Sequence, residues 1–320
     1  MDWYQCNVQF THPAAATVTA AAELLPALTA AQDSGVLHCW WFIREKEQWR
    51  LRYAAAGGEA SVVDDLLDTL AADGRIVSWA PDIYEPETLK FGGEQGIAVA
   101  HELFHQDSRY LLAQPDRQLF GLRETSVLLY SVLIRAAGLG WDEQREVWVK
   151  VSEHRPSDPA HPLWPPEWEP GLRGAMRRLL ASDARVCPSI PVGWAAAFET
   201  AGRSLADLAQ RRQLQGDLRE VLAHHWLFHA NRAGLPVGDQ AATSALAVST
   251  LCSPTADGVF PGESHTPMPG PPIKLTDDAP TPSEELRAAP TDRLLQLGTS
   301  RRSARSLVRT RLRPWSRARR

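Results

Sequence analysis

The sequence predicts an α+β fold: a β-rich first part with a hairpin, a mainly helical second part, and a disordered C-terminal tail. Three observations carry this expectation. The first 90 residues hold alternating runs rich in strand formers, with two helices between them. The next 150 residues repeat with a helical period. After about residue 250 hydrophobic periodicity disappears into a Pro-rich stretch.

The elements follow in order. "WYQCNVQF" (3–10) alternates and predicts a strand. "AAATVTAAAELLPALTAAQ" (14–32) is Ala- and Leu-rich and predicts a helix despite Pro26. "VLHCWWFIRE" (36–45) and "QWRLRYAA" (48–55) read as two strands joined by the polar "KE", a hairpin. "ASVVDDLLDTLAADG" (60–74) is helical and stops at Gly74. "RIVSWAPDIYEPE" (75–87) begins as a strand and is expected to leave it at Pro81. Helices are predicted over 94–114, 123–139, 142–155, 171–182, 192–212 and 215–232. Six prolines in 156–170 make that segment a loop. The domain expectation is one folded unit over 1–250 and a tail over 251–320.

Composition narrows the function classes. Four cysteines stand far apart with no C-x-x-C pair, which argues against a disulfide framework and for a reducing, cytoplasmic setting. The N-terminus lacks the features of a signal peptide, and "VLLYSVLI" (127–134) is too short to span a bilayer, so no membrane contact is expected. The last 20 residues carry nine arginines and no acid, leaving the first 300 with a balance of −13. The body is acidic and the tail basic; the tail could touch an acidic partner or RNA, or be an extension without function.

"HELFH" (101–105) spells H-E-x-x-H, the helix of a zinc metallohydrolase. Such a site needs a third protein ligand beside His101 and His105, with Glu102 kept as base. The metzincin continuation would place Gly at 108 and His at 111; the chain has Ser108 and Leu111. Ile97, Phe104 and Leu111 form an apolar stripe that includes His101, so a place beside the core is the simpler expectation. No metal and no cofactor are expected.

Five stretches, "DWYQCNVQF", "WWFIREKEQWRLRY", "IYEPETLKFGGEQGIAVAHELFHQDS", "EVWVKVSEHRP" and "HHWLFHANRAGL", occur in an order that resembles the thiopeptide-type bacteriocin biosynthesis family. That family is equivalent to the C-terminal domain of class I lantibiotic dehydratases. The resemblance covers about residues 1–240 and implies that "HELFH" is a plain helix. It implies an enzyme that eliminates glutamate from glutamylated Ser or Thr of a precursor peptide, leaving a dehydroamino acid. Some stand-alone members of the resembled family instead catalyse a pyridine-forming cycloaddition, which is the runner-up expectation; a non-catalytic module that holds a leader peptide is the alternative of another class. The implied partners are the precursor peptide and a separate glutamylating dehydratase subunit, since no long segment here could do that work.

Against that background certain residues stand out. Alternation in "QWRLRY" puts Trp49, Leu51 and Tyr53 on one face and Arg50 and Arg52 on the other, about 7 Å apart. Two guanidiniums on one face can clamp a carboxylate or stabilise enolate charge; the alternative is a solvated strand face. Arg44, at the end of the preceding strand, is expected to add a third charge. The resemblance implies a catalytic His in "HHWLFHANR", matched by His229 as proton carrier, with His224 and His225 as weaker candidates and Asn231 and Arg232 as its holders or as substrate ligands; without the resemblance, a core His packed beside Trp226 and Phe228 is the alternative. Lys90 precedes the Phe91-Gly92-Gly93 turn at a helix entry, where an anion is favoured. The resembled lantibiotic-type proteins often carry Arg there, and Lys cannot reproduce its bidentate grip.

Overall fold

A computed structural model describes residues 2–12, 15–45, 48–56, 61–113, 121–156, 169–184 and 187–252. Four strands form one antiparallel sheet: β1 (Trp3–Phe10), β2 (Leu37–Glu45), β3 (Gln48–Ala55) and β4 (Ile76–Asp82), in the order β2-β3-β1-β4. The connections are helical: α1 (Ala16–Thr19), a π-helical turn (Ala20–Leu24) and α2 (Leu25–Asp33) join β1 to β2, and α3 (Ser61–Ala72) joins β3 to β4. This β-α-β-β-α-β order, with β1 and β3 central, is a split βαβ arrangement.

The register decides what each sheet face carries. Cys6 lies opposite Leu51, Val8 opposite Trp49, and Phe42 opposite Leu51. These apolar residues pack with Leu24, Leu28, Val63, Leu67 and Leu70 of the connecting helices into the main core. On the other face Arg52 lies between Trp41 and Gln5, and Gln5 lies opposite Asp82. A second row runs Ile43, Arg50, Asn7, Ala80.

The helical part follows as α4 (Glu94–Ala113), α5 (Leu122–Ala136), α6 (Trp141–His154), α7 (Glu169–Ala181), α8 (Val192–Gln210), α9 (Leu218–Ala233) and α10 (Val237–Leu251). Tyr130, Trp148 and Trp226 pack ring to ring at 4.9–5.1 Å where α5, α6 and α9 meet. The Tyr130 hydroxyl donates to the Leu222 carbonyl at 2.8 Å. Asp217 caps α9 by accepting from the Arg219 amide, and Gly234 ends it in the left-handed conformation at φ 82°.

α4 lies along the outer edge of β2 and satisfies its backbone. Nδ1 of His105 bonds the Trp40 carbonyl at 2.8 Å, while Gln32 reaches its Nε2 at 3.2 Å. The Phe42 amide donates to Oγ of Ser108 at 3.2 Å. An edge strand otherwise presents unpaired groups to water or to other chains.

Several expectations are corrected. Pro81 does not end β4: it pairs in register with Cys6, which an edge strand permits because an outward-facing amide is not needed. The helix around Pro26 is not continuous α; the π turn precedes Pro26, which sits in the first turn of α2, relieving the clash with the carbonyl four residues back. α9 starts at Leu218 rather than 215, and α7 at Glu169 rather than 171. α10 was not foreseen. The hairpin turn at 46–47, most of the proline loop (157–168) and the tail from 253 onward lie outside the described residues.

Ser108 is fully buried, so Ser108→Ala leaves the Phe42 amide without an acceptor. We expect a loss of about 1–3 kcal/mol in unfolding free energy. Urea denaturation with an unchanged m-value measures it.

Candidate active site

The row of side chains that runs from Arg52 through Gln5 to Asp82 is a hydrogen-bonded chain. Arg52 donates from Nε to Oε1 of Gln5 at 2.7 Å. Gln5 donates from Nε2 to Oδ2 of Asp82 at 2.7 Å, and Asn7 donates to the same oxygen at 3.0 Å. These bonds and the Ile83 amide hold the exposed Asp82 carboxyl below its ordinary range. Arg50 pairs with Glu45 across the hairpin at 2.5 Å.

Arg52 is the unusual member. It is 4 % exposed, and its guanidinium lies 4.5 Å from the ring centre of Trp41 and 4.4 Å from that of Tyr84. Among the described residues no carboxylate reaches ion-pair distance, and Nη1 is buried without a partner. Burial lowers its pKa, with the neighbouring charge of Arg50 adding to the effect. Nε of Arg50 and Oε2 of Glu87 are likewise buried without partners.

Tyr84 and His101 were not predicted as site residues. The Tyr84 hydroxyl bonds Nε2 of His101 at 2.8 Å. The imidazole packs 4.3 Å from Trp3. Burial, helped by the charge of Arg52, pushes His101 down to about 4, so it is neutral at pH 7. Burial raises Tyr84 and keeps it a phenol. Tyr84 joins Trp41, Phe91, Ile97 and Phe104 in a small second core, and the His101 ring packs against its Trp41 and Tyr84. His101 and His105 of "HELFH" therefore serve different partners, Tyr84 and the β2 edge.

A buried ion cluster lies behind this layer. Asp107 of α4 is 1 % exposed. It accepts from Nδ1 of His229 at 2.9 Å and from Nε1 of Trp194 at 2.9 Å, and Nε of Arg232 stands 3.2 Å away. Burial alone would raise Asp107; the fields of His229 and Arg232 and the two hydrogen bonds overcome it and hold it below the usual range. Arg232 is held down to about 10 by burial and packs over Phe104 at 4.4 Å and Trp41 at 5.8 Å.

The predicted residues thus separate. Arg50 and Arg52 share the open face, as alternation required. Arg44 does not join them: it pairs with Trp49 in register, stacks over that ring at 4.6 Å, and donates to the Arg232 carbonyl at 2.9 Å. His229 is 2 % exposed and walled by Phe198 and Trp226, with Nε2 unpartnered; its link to the arginine pair runs through Asp107, Arg232 and Trp41. Asn231 accepts from Gln240. Lys90 is exposed, and its charge adds slightly to the lowering of the His224 pKa that burial causes. His225 is buried, bonds the Val221 carbonyl, and is pushed down to about 4 by burial.

Two other features lie apart from the arginines. A groove of about 520 Å³ between α4 and α8 is lined by small side chains including Ala98, Gly193, Ala197 and Ser204. His154, Glu220 and His224 gather within 4.8 Å, but Glu220 already binds His154 at 2.6 Å and Lys150 at 3.2 Å.

The family model described as "Lantibiotic biosynthesis dehydratase C-term" matches residues 3–251. The chain belongs to this lantibiotic dehydratase C-terminal family. Among solved structures, it resembles the tRNA-dependent lantibiotic dehydratase MibB from Microbispora sp. 107891, with TM-score 0.57 and 16 % identity over 78 % of this chain. The lantibiotic dehydratase C-terminal chain spans 28 % of that larger structure. It also resembles TbtD, a pyridine synthase from thiomuracin biosynthesis, with TM-score 0.54 and 12 % identity over 78 % of this chain and 98 % of that one. TsrL is similar at TM-score 0.50 and 13 % identity, over 78 % of this chain and 94 % of that one. No curated protein matches. Among the described residues of this family member, no helix is long and apolar enough to cross a membrane.

His101 and His225 are both buried neutral with pKa values near 4. Each depressed value contributes stability that is full above the unfolded value of about 6.5 and is lost as pH falls toward 4. We expect unfolding free energy to fall between pH 6.5 and 4 by up to about 3 kcal/mol for each histidine. Denaturation midpoints across that range measure the slope, and His225→Asn should flatten it.

Proposed function

We propose that this protein is a tailoring enzyme of ribosomally made peptides that eliminates glutamate from glutamylated Ser or Thr of a precursor peptide. A separate glutamylating dehydratase subunit supplies its substrate. The observation that supports this most is Arg52: a buried guanidinium that, among the described residues, has an unpartnered Nη1 and no carboxylate at ion-pair distance. A buried cation is costly unless an anion pairs with it, and a guanidinium is shaped for a carboxylate. Glutamate is both the departing group and a carboxylate donor to that site.

In the reaction the peptide Cα–H bond breaks, electron density builds on the adjacent amide, and the Cβ–O bond breaks with its electron pair leaving on glutamate. Arg52 and Arg50 stabilise the leaving carboxylate. Tyr84 and His101 take the proton-carrying part expected of His229. The Cα proton passes to the Tyr84 oxygen as the phenol proton passes to Nε2 of His101. A carboxylate held at Arg52 offsets the positive charge that helps keep His101 unprotonated. His229 is a positioning residue, fixing Asp107 against Arg232 and so the packing under Trp41.

A pyridine-forming cycloaddition is the second reading, favoured by Lys90. It stands, exposed, where lantibiotic-type members often carry Arg. Incubation with a glutamylated precursor and, separately, with a peptide bearing two dehydroalanines separates the readings by mass. Loss of glutamate supports the first, ring formation the second, and binding without either the non-catalytic module.

For the eliminating enzyme, Arg52→Ala should lower turnover on the order of a hundred- to a thousand-fold, with glutamylated peptide accumulating. Arg52→Lys should rescue poorly, because a point charge cannot replace the fork. Tyr84→Phe should cost about a hundredfold or more while the protein stays folded. Near-normal turnover in both Arg52→Ala and Tyr84→Phe, followed by mass spectrometry, would place the chemistry elsewhere.

A further inference from the structure

Glu87 lies in the turn between β4 and α4, three residues after Tyr84. The residue is half-buried, yet Oε2 is fully covered and has no donor among the described residues. A buried carboxylate oxygen without a donor is uncommon and calls for a partner that arrives from outside. Arg52 has the complementary defect at Nη1, and Arg50 at Nε. Tyr84, three residues before Glu87, sets its ring 4.4 Å from the Arg52 guanidinium, so the turn that carries Glu87 follows directly on a residue packed against Arg52.

No ion pair closes between Arg52 and Glu87 among the described residues. Here each is held on its own support. Arg52 is fixed by Gln5 and by the rings of Trp41 and Tyr84. Glu87 is fixed by its turn, where its carbonyl accepts from the Lys90 and Phe91 amides at 2.9 and 3.3 Å. The turn itself is locked by Gly92 and Gly93 at φ 86° and 92°, and a Cβ on Gly92 would meet Leu214 at 2.4 Å. Rigid supports that keep a cation and an anion apart leave both with unfilled valence.

We propose that Glu87 binds the ammonium of a zwitterionic α-amino-acid group whose carboxylate is held by Arg52 and Arg50. The site would then select an aminoacyl ester over a simple acyl ester. This inference rests on the reading above, that the arginine row binds the leaving glutamate: the ester carries a free α-ammonium beside the carboxyl group that becomes the leaving carboxylate.

The test measures binding of L-glutamate and of glutarate, which keeps both carboxylates and lacks the amine, by calorimetry on the full chain. Wild type should prefer glutamate by about tenfold or more, the worth of one charge-assisted hydrogen bond. Glu87→Gln, isosteric and in a turn, should weaken glutamate by that factor and leave glutarate unchanged or tighter. Glu87→Asp should restore part of the preference. Arg52→Ala should lose both ligands. Unaltered preference in Glu87→Gln overturns the role of Glu87 while leaving the carboxylate site standing. Failure of wild type to bind either ligand overturns the carboxylate site, and this proposal with it.

Discussion

The arrangement of the helical part depends on one buried carboxylate. Asp107 sits in α4 with almost no exposure, and its bonds come from α8 through Trp194 and from α9 through His229. Arg232, one turn further along α9, completes the charge balance. Removing one partner of such a cluster leaves an uncompensated charge in a dry place, which typically costs several kcal/mol. The cluster therefore sets the relation of three helices at once. Two of them, α4 and α9, supply Phe104 and Phe228 to the layer behind Trp41, and α4 alone supplies His105 and Ser108 to the edge of β2.

Two buried arginines approach the same indole, and their difference is informative. Arg232 has Asp107 within ion-pair distance; among the described residues Arg52 meets rings and an amide oxygen but no carboxylate at that distance. Burial lowers both, but only one is compensated from within the fold. Stability alone would favour pairing or removing the second charge. Its retention beside an open row of polar side chains is what a site awaiting an anion looks like.

Much of this was legible in the chain. Strict alternation in "QWRLRY" placed Arg50 and Arg52 together and sent Trp49, Leu51 and Tyr53 to the core, because side-chain period in a strand is fixed at two. The same rule, carried across the hairpin register, also puts Ile43 rather than Arg44 beside Arg50; counting from the turn would have shown it. What depends on non-local contact was not legible. Asp107 is one acid in a polar run, and nothing local says that it faces Trp194 from 87 positions away. Tyr84 and His101 stood in quoted motifs, yet their pairing needs the chain to fold back from β4 onto α4. "AATSALAVST" lacked a clear apolar stripe because its buried positions are small or hydroxylated, so α10 escaped notice.

The sealed edge of β2 bears on how a peptide can be received. A sheet margin with free carbonyls and amides invites an incoming chain to dock as an extra strand, gripped by its backbone. In this fold the Trp40 carbonyl and the Phe42 amide are already engaged by His105 and Ser108. A peptide arriving at that stretch of the margin meets a ladder already interrupted at Trp40 and Phe42. Whatever this protein holds there must be gripped by side chains meeting side chains, which ties recognition to the few groups displayed on the face and frees it from the strand register of the guest.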